Sequence, residues 1–183
     1  MKLLRRTQFG NPILRAPALR LSKAEILSAE TQDLIANMYH TLEIKKYGVG
    51  LAAPQVGQPV ALALVYIQPT DRRPDVKPAK LTIINPEIVA TNGRRAALWE
   101  GCLSFGSLQD PPFAKVPRYS RIRLKYLDEQ AKPHEKEFEG LMAHVIQHEV
   151  DHLNGILFVD RVKDTTTYVT LSEYKKRFRE QAQ

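Results

Sequence analysis

The fold class the sequence predicts is α+β, with mostly antiparallel sheets packed around a central helix that carries His-Glu-x-Asp-His, an N-terminal helix and a C-terminal helix. Three observations predict it. Helical periodicity occurs near both ends of the chain, flanking a block of strand-like runs. Those runs follow one another instead of alternating with helices, which is the pattern of an antiparallel arrangement. One helical segment near residue 150 is apolar over much more than half its circumference, and such a helix belongs in a core.

The elements follow in chain order. From Lys23 to Lys46, Ile26, Leu27, Leu34, Ile35, Met38, Tyr39 and Leu42 recur at helical spacing and Gly48 supplies a stop, so one amphipathic helix is expected. GVGLAAPQVG, Gly48 to Gly57, reads as a loop rich in Gly, Ala and Pro. Strand character is expected at Val60–Ile67, Leu81–Ile84, Ala96–Glu100, Ser120–Leu127 and Glu135–Phe138. Between the first two runs, Gln68 to Lys80 carries Pro69, Pro74 and Pro78 among several charges, which makes it a surface loop. A helix from Leu141 to Leu153 ends at Asn154-Gly155, a C-terminal cap. A final helix is expected over the basic tail from Thr166 to Arg179.

Composition limits the function classes. A chain of 183 residues, 43% hydrophobic and 26% charged, fits a single globular domain over 1–183. The longest apolar run, Val60 to Ile67, is too short to span a bilayer, so no membrane partner is expected. The N-terminal MKLLRRTQFGNP has positive charge but no signal-peptide core, which argues against secretion and does not address an organellar transit peptide. Cys102 is the sole cysteine, so there is no intramolecular disulfide, and a reducing compartment fits. The net charge of +7 lies partly in Arg94-Arg95, Arg121–Lys125 and Lys175–Arg179. Such clusters attract phosphate without reading a specific nucleic-acid sequence, and each equally suits a solvated surface.

The helix at Leu141–Leu153 contains QHEVDH, Gln147 to His152. Its i, i+4 histidines, His148 and His152, can aim at one point, as a tetrahedral metal site requires. Glu149 is turned away from that direction far enough to miss a metal yet reach its water, where it would be a general base. The same letters also describe two satisfied core histidines. A catalytic site normally has three protein ligands and an open position. The segment downstream, ILFVDRVKDTTTYVTLSEYKK, holds no histidine, and Glu173 is its nearest glutamate, which counts against an HExxH-type metalloprotease. Upstream lies WEGCLSFG with Cys102, readable as a ligand, a nucleophile or a small buried hydrophobe. In GVGLAAPQVG, small residues allow close approach and Gln55 offers a carboxamide donor, but a P-loop's glycine pattern and lysine are missing.

GVGLAAPQ (Gly48–Gln55), EGCLS (Glu100–Ser104) and QHEVDH (Gln147–His152), in that order and spacing, closely resemble the three motifs of the peptide deformylase family. VPR (Val116–Arg118) and the LNGILFVD after the histidines extend the resemblance over nearly the whole chain. The resemblance implies a hydrolase that removes the N-formyl group from the initiator methionine of new polypeptides and releases formate. It implies one divalent metal, Fe(II) natively with Zn, Ni or Co accepted, on Cys102, His148 and His152. Metal-bound water would be the nucleophile and Glu149 the general acid and base. Gln55 and the backbone N–H of Leu103 would stabilise the oxyanion. Gly50 would contact substrate through its backbone, and Leu141 and Val145 would line the methionine pocket. Asp151 would orient a histidine or cap nearby structure, and Glu100 and Arg118 would form an ion pair. The implied partner is the nascent formylated polypeptide in a cytoplasmic, bacterial-type setting, with ribosome contact through LSEYKKRFREQAQ weighed against a plain solvated helix.

Three features depart from the family pattern. Tyr47 stands where many members have an acidic residue, and His144 occupies a helical position that is apolar in well-known bacterial members. His144 is expected at the rim or behind the ligands. FGSLQDPPFAK, Phe105 to Lys115, replaces the usual Ser-hydrophobic-Pro-Gly pattern with a longer loop. A basic ribosome- or RNA-binding domain with structural histidines is the non-enzymatic alternative.

Overall fold

The computed structural model describes residues 1–45, 48–70, 74–107 and 109–180. Tyr47 therefore lies outside the described residues, as does Leu108 of the atypical loop. The N-terminal helical pattern folds as two helices, α1 (Lys23–Leu27) and α2 (Ala29–Lys45). The expected single helix breaks at Ser28, whose ψ of 150° is extended. The Ser28 hydroxyl donates to the Glu25 carbonyl (2.7 Å) and accepts from the Thr31 N–H (3.3 Å), capping both helices at the junction.

The expected Gly-Ala-Pro loop is instead a short strand, β1 (Gly50–Ala52), followed by a 3-10 turn at Ala53–Val56 that ends on Gly57 with φ 81°. Four longer elements follow: β2 (Leu62–Ile67), β3 (Ala79–Gly101), β4 (Pro112–Leu127) and β5 (Pro133–Glu139). They pair antiparallel in the order β1-β2-β3-β4-β5. The runs expected at Leu81–Ile84 and Ala96–Glu100 are one strand of 23 residues. Its turn-like letters are absorbed by register shifts: Asn85 (φ 50°) and Gly93 (φ 79°) sit at two of them. Asn85 also exchanges two side-chain hydrogen bonds with the Leu21 backbone, which satisfies its amide.

The chain continues through α3 (Gly140–Leu153), α4 (Phe158–Arg161), β6 (Val169–Thr170) and α5 (Leu171–Glu180). The expected final helix thus starts five residues late. A 3-10 turn capped by Asp164 and the β6 pairing with Pro112–Phe113 of β4 take the intervening backbone bonds. That pairing also makes the last part of the expected Phe105–Lys115 loop a strand.

The apolar run of β2 is explained by burial on both faces. Leu62 and Leu64 pack with Ile26, Ile35, Met38 and Leu42 of α1 and α2. Ala63, Val65 and Ile67, on the opposite face, pack with Ala143, Ile146, Val150 and Leu153 of α3. Each fully buried Leu or Ile contributes about 1.5–3 kcal/mol. The helix α3 is buried without interruption from Ala143 to Leu153, as its nearly all-round apolar pattern requires. Gln147 fastens it to β4: its amide donates to the Tyr119 carbonyl (2.8 Å) and accepts from the Tyr119 N–H (3.0 Å). Asn154-Gly155 ends it as expected, with Gly155 at φ 71°. Among the described residues no helix is long and apolar enough to cross a membrane.

Candidate metal centre

Two elements deliver the central cluster. Cys102 follows β3 at its last residue, Gly101, and His148 and His152 project from α3 one turn apart. The three ligand atoms lie within 4.8 Å of one another and all three residues are buried. Cys102 Sγ is 3.2 Å from His152 Nε2. Donor atoms around a tetrahedral ion with bonds of about 2.0–2.3 Å stand about 3.5 Å apart, so this two-nitrogen, one-sulfur set fits a divalent cation.

The sulfur is also approached by two N–H donors, Gln55 Nε2 and the Ser104 backbone, each at 3.4 Å. Gln55 is held for this by the Ala52 N–H, which donates to Oε1 (2.8 Å). Leu103 lies in the turn directly after Cys102, half-buried, with its side chain close to Gly48.

Glu100 organises the histidine side of the cluster. Its Oε2 accepts from His148 Nδ1 (2.8 Å) and Arg118 Nη2 (3.1 Å), and its Oε1 accepts from Arg118 Nε (2.8 Å). The bond to Nδ1 turns His148 so that Nε2 is its free ligand atom. His144 Nε2 stands 2.6 Å from Oε1, off the direction its N–H would need for a good hydrogen bond. The departure at His144 thus places it behind His148, on the carboxylate that orients that ring. Asp151, expected to orient a histidine or to cap, is engaged by Arg118 and by Arg161 in a two-bond contact. The orienting carboxylate is therefore Glu100. The family resemblance implied its ion pair with Arg118, which the structure contains, but not its hold on His148.

The carboxylates differ in electrostatics. Burial alone would raise Glu100, but the close approach of His144 to Oε1 and the hydrogen bonds from His148 and Arg118 hold it well below the usual carboxylate range. Glu149 is pushed the other way, up to about 7, chiefly by burial, with the Glu100 charge adding to the effect. Its Oε2 is buried without a hydrogen-bond partner among the described residues. Burial, with the Arg118 charge adding to it, lowers His152, which favours the neutral imidazole a ligand must be.

Gly50 is buried directly against Glu149: a Cβ there would lie 2.7 Å from the carboxyl carbon. Val145 is buried in the cluster that α3 makes with the sheet, and Leu141 flanks that cluster, half-exposed. An open cleft of about 550 Å³ is lined by Ile35, Tyr39, Lys80, Tyr126 and His134, and none of the cluster's residues reaches it. The buried cluster is the candidate site, because three converging ligand atoms and a carboxylate oxygen without a partner among the described residues are more specific than an open concavity.

Comparison with known proteins decides the family. A model described as polypeptide deformylase matches residues 4–168. The chain belongs to the polypeptide deformylase family. It is 38% identical over 168 residues to the peptide deformylase of Aquifex aeolicus, covering 92% of each chain. It is 43% identical over 155 residues to that of Chlorobium limicola, covering 85% of this chain and 78% of the relative. Among solved structures, a Met-Ala-Ser-bound class I type b peptide deformylase from Acinetobacter baumannii is similar with a TM-score of 0.81 at 35% identity. That match covers 88% of this chain and 99% of the other. The Thermotoga maritima peptide deformylase gives 0.74 at 34% identity, covering 90% and 100%. The deformylase fold in these structures is the mixed α+β arrangement with an antiparallel sheet expected from the sequence.

Proposed function

We propose that this deformylase is a single catalytic domain that removes the formyl group from the N-terminal methionine of nascent polypeptides. The observation that carries the proposal is the convergence of Cys102, His148 and His152 in a chain of this family. In this reading those three residues hold one divalent ion, Fe(II) natively, and Zn, Ni or Co in a purified sample. The ion, when bound, supplies a Lewis acid that acidifies water and polarises the formyl oxygen.

The chain's own groups do the rest. Glu149, pushed up to about 7 chiefly by burial, accepts the proton of the attacking water and returns it to the departing amine. Its unpartnered Oε2 supports this role, since a carboxylate saturated with donors would be a poor base. Gln55 Nε2 and the Leu103 N–H donate to the oxygen that gains charge. Gly50 presents its backbone to substrate, and Leu141 and Val145 line the methionine subsite. The nascent chain is the partner in a cytoplasmic setting, and α5, with Lys175, Lys176 and Arg177, is the surface proposed for the ribosome.

An anaerobic assay of formate release from formyl-Met peptides tests the proposal with wild type and Glu149→Ala. Loss of about 10²–10⁴ in rate, the range for a general acid-base group, with metal retained, is expected. Full activity of the variant refutes the role of Glu149, and cleavage of an unformylated internal peptide bond points to a protease instead.

A further inference from the structure

The N-terminal segment before the first helix makes three hydrogen bonds to the two loops that approach the sulfur. The Thr7 N–H donates to the Gln55 carbonyl (2.7 Å), and the Phe9 N–H donates to the Ser104 carbonyl (2.7 Å). Just before them in the chain, the half-buried Arg6 donates through Nη1 to the Leu103 carbonyl. That carbonyl belongs to the Leu103–Ser104 peptide, whose other end is the Ser104 N–H that points at Cys102 Sγ (3.4 Å). Arg6, one peptide group and the sulfur are thus in series, and a charged donor on the carbonyl makes the amide at the far end a better donor.

We propose that Arg6 is a positioning residue for Cys102, setting through the Leu103–Ser104 peptide both the place of the sulfur and its donor strength toward a metal. The inference rests on the reading of Cys102 as a ligand. Hydrogen bonds around a cysteine sulfur tune what it gives to a metal, and residues that orient ligands are worth about 10–100-fold in affinity. Phe9, in edge contact with Phe105 (4.8 Å), anchors the far end of the segment, so Arg6 is fixed from one side by the chain and from the other by its own bond.

The test uses Co(II), whose bond to a thiolate gives a charge-transfer absorption, on the full chain with Arg6→Met, Arg6→Lys and Arg5→Met. R6M keeps an apolar stem of similar length and removes the donor. We expect it to bind Co(II) about tenfold more weakly in chelator competition and to move the charge-transfer band to longer wavelength. R6K, which restores a charged donor, should recover part of both effects, and R5M, changed at an exposed neighbour, should match wild type. A residue that merely stabilises the fold would lower the unfolding midpoint without moving the band. R6M with wild-type affinity and an unmoved band overturns the proposal. Wild type that binds Co(II) with no thiolate band overturns the ligand assignment itself. Should R6M fail to fold, R6Q, with a shorter neutral donor, is expected to give an intermediate shift, and an unmoved band there overturns the proposal as well.

Discussion

Gly50→Ala places a methyl group where the Glu149 carboxylate now lies. The added carbon would stand 2.7 Å from Glu149 Cδ and 2.9 Å from Cγ. Ordinary carbon contacts are about 3.5–4.0 Å, so one of the two residues must retreat by about 1 Å. The conformation of Gly50 itself is open to alanine, since its φ is not positive, and space is the whole constraint. Glu149 is 3% exposed on a helix buried from Ala143 to Leu153, so no rotamer into solvent is open to it. Overpacking of this kind costs about 1–3 kcal/mol in stability, and a 1 Å misplacement of a catalytic group costs about 10² in rate. The expected result for G50A is therefore a kcat near 1% of wild type, unchanged metal affinity, and a modest drop in urea midpoint. Formate release, chelator competition and urea unfolding measure the three. Gly48→Ala is the comparison: its nearest clash is the terminal methyl of Leu103, at 2.9 Å, which can rotate aside, so its rate loss should be much smaller. A G50A enzyme with wild-type kcat would refute the claim that Gly50 holds space for Glu149.

Two further outcomes follow from the buried charges. Glu100→Ala leaves Arg118, 5% exposed, with Asp151 as its remaining carboxylate and frees His148 Nδ1, so stability should fall by about 3–5 kcal/mol with weaker metal binding. Chemical denaturation and chelator competition would detect this, and an E100A chain as stable as wild type would contradict it. Tyr39 is pushed up to about 12 by burial, so its contribution is fully present below the ordinary tyrosine value near 10 and is lost as pH rises through 12. Wild type should lose up to about 2 kcal/mol over that window, whereas Tyr39→Phe, already lacking the bond to Thr82, should show a flatter alkaline limb in unfolding free energy.

What was legible in the sequence was what periodicity encodes. The helix α3 is placed almost to the residue because its apolar stripe, its histidine spacing and its Asn-Gly cap agree. The middle of β3 was invisible because Asn85-Pro86 and Thr91–Arg95 carry turn letters, while pairing with β2 and β4 keeps the backbone extended through bulges. The break at Ser28 was hidden for the opposite reason, since both sides continue the same apolar face and one hydroxyl decides the cap. At the candidate site, the convergence of His148 and His152 was readable from spacing, whereas the pairing of Cys102 with them came from the family resemblance. The hold of Glu100 on His148 and the N-terminal segment on Ser104 had no comparable mark. The first joins residues 48 positions apart, and the second is a backbone bond that any side chain permits.

The distribution of the cluster along the chain bears on the order in which it can form. His148 and His152 meet as soon as α3 winds, a local event of microseconds or less. Cys102 lies 50 positions from His152, and bringing those ends together costs about 3.5 kcal/mol in chain entropy. A nascent chain with α3 formed and β3 not yet docked therefore presents two imidazoles and no thiol. It can hold an ion only weakly until the sheet closes. An ion held by all three groups would then act as a cross-link across that 50-residue span, so loading would slow unfolding as well as complete the chemistry.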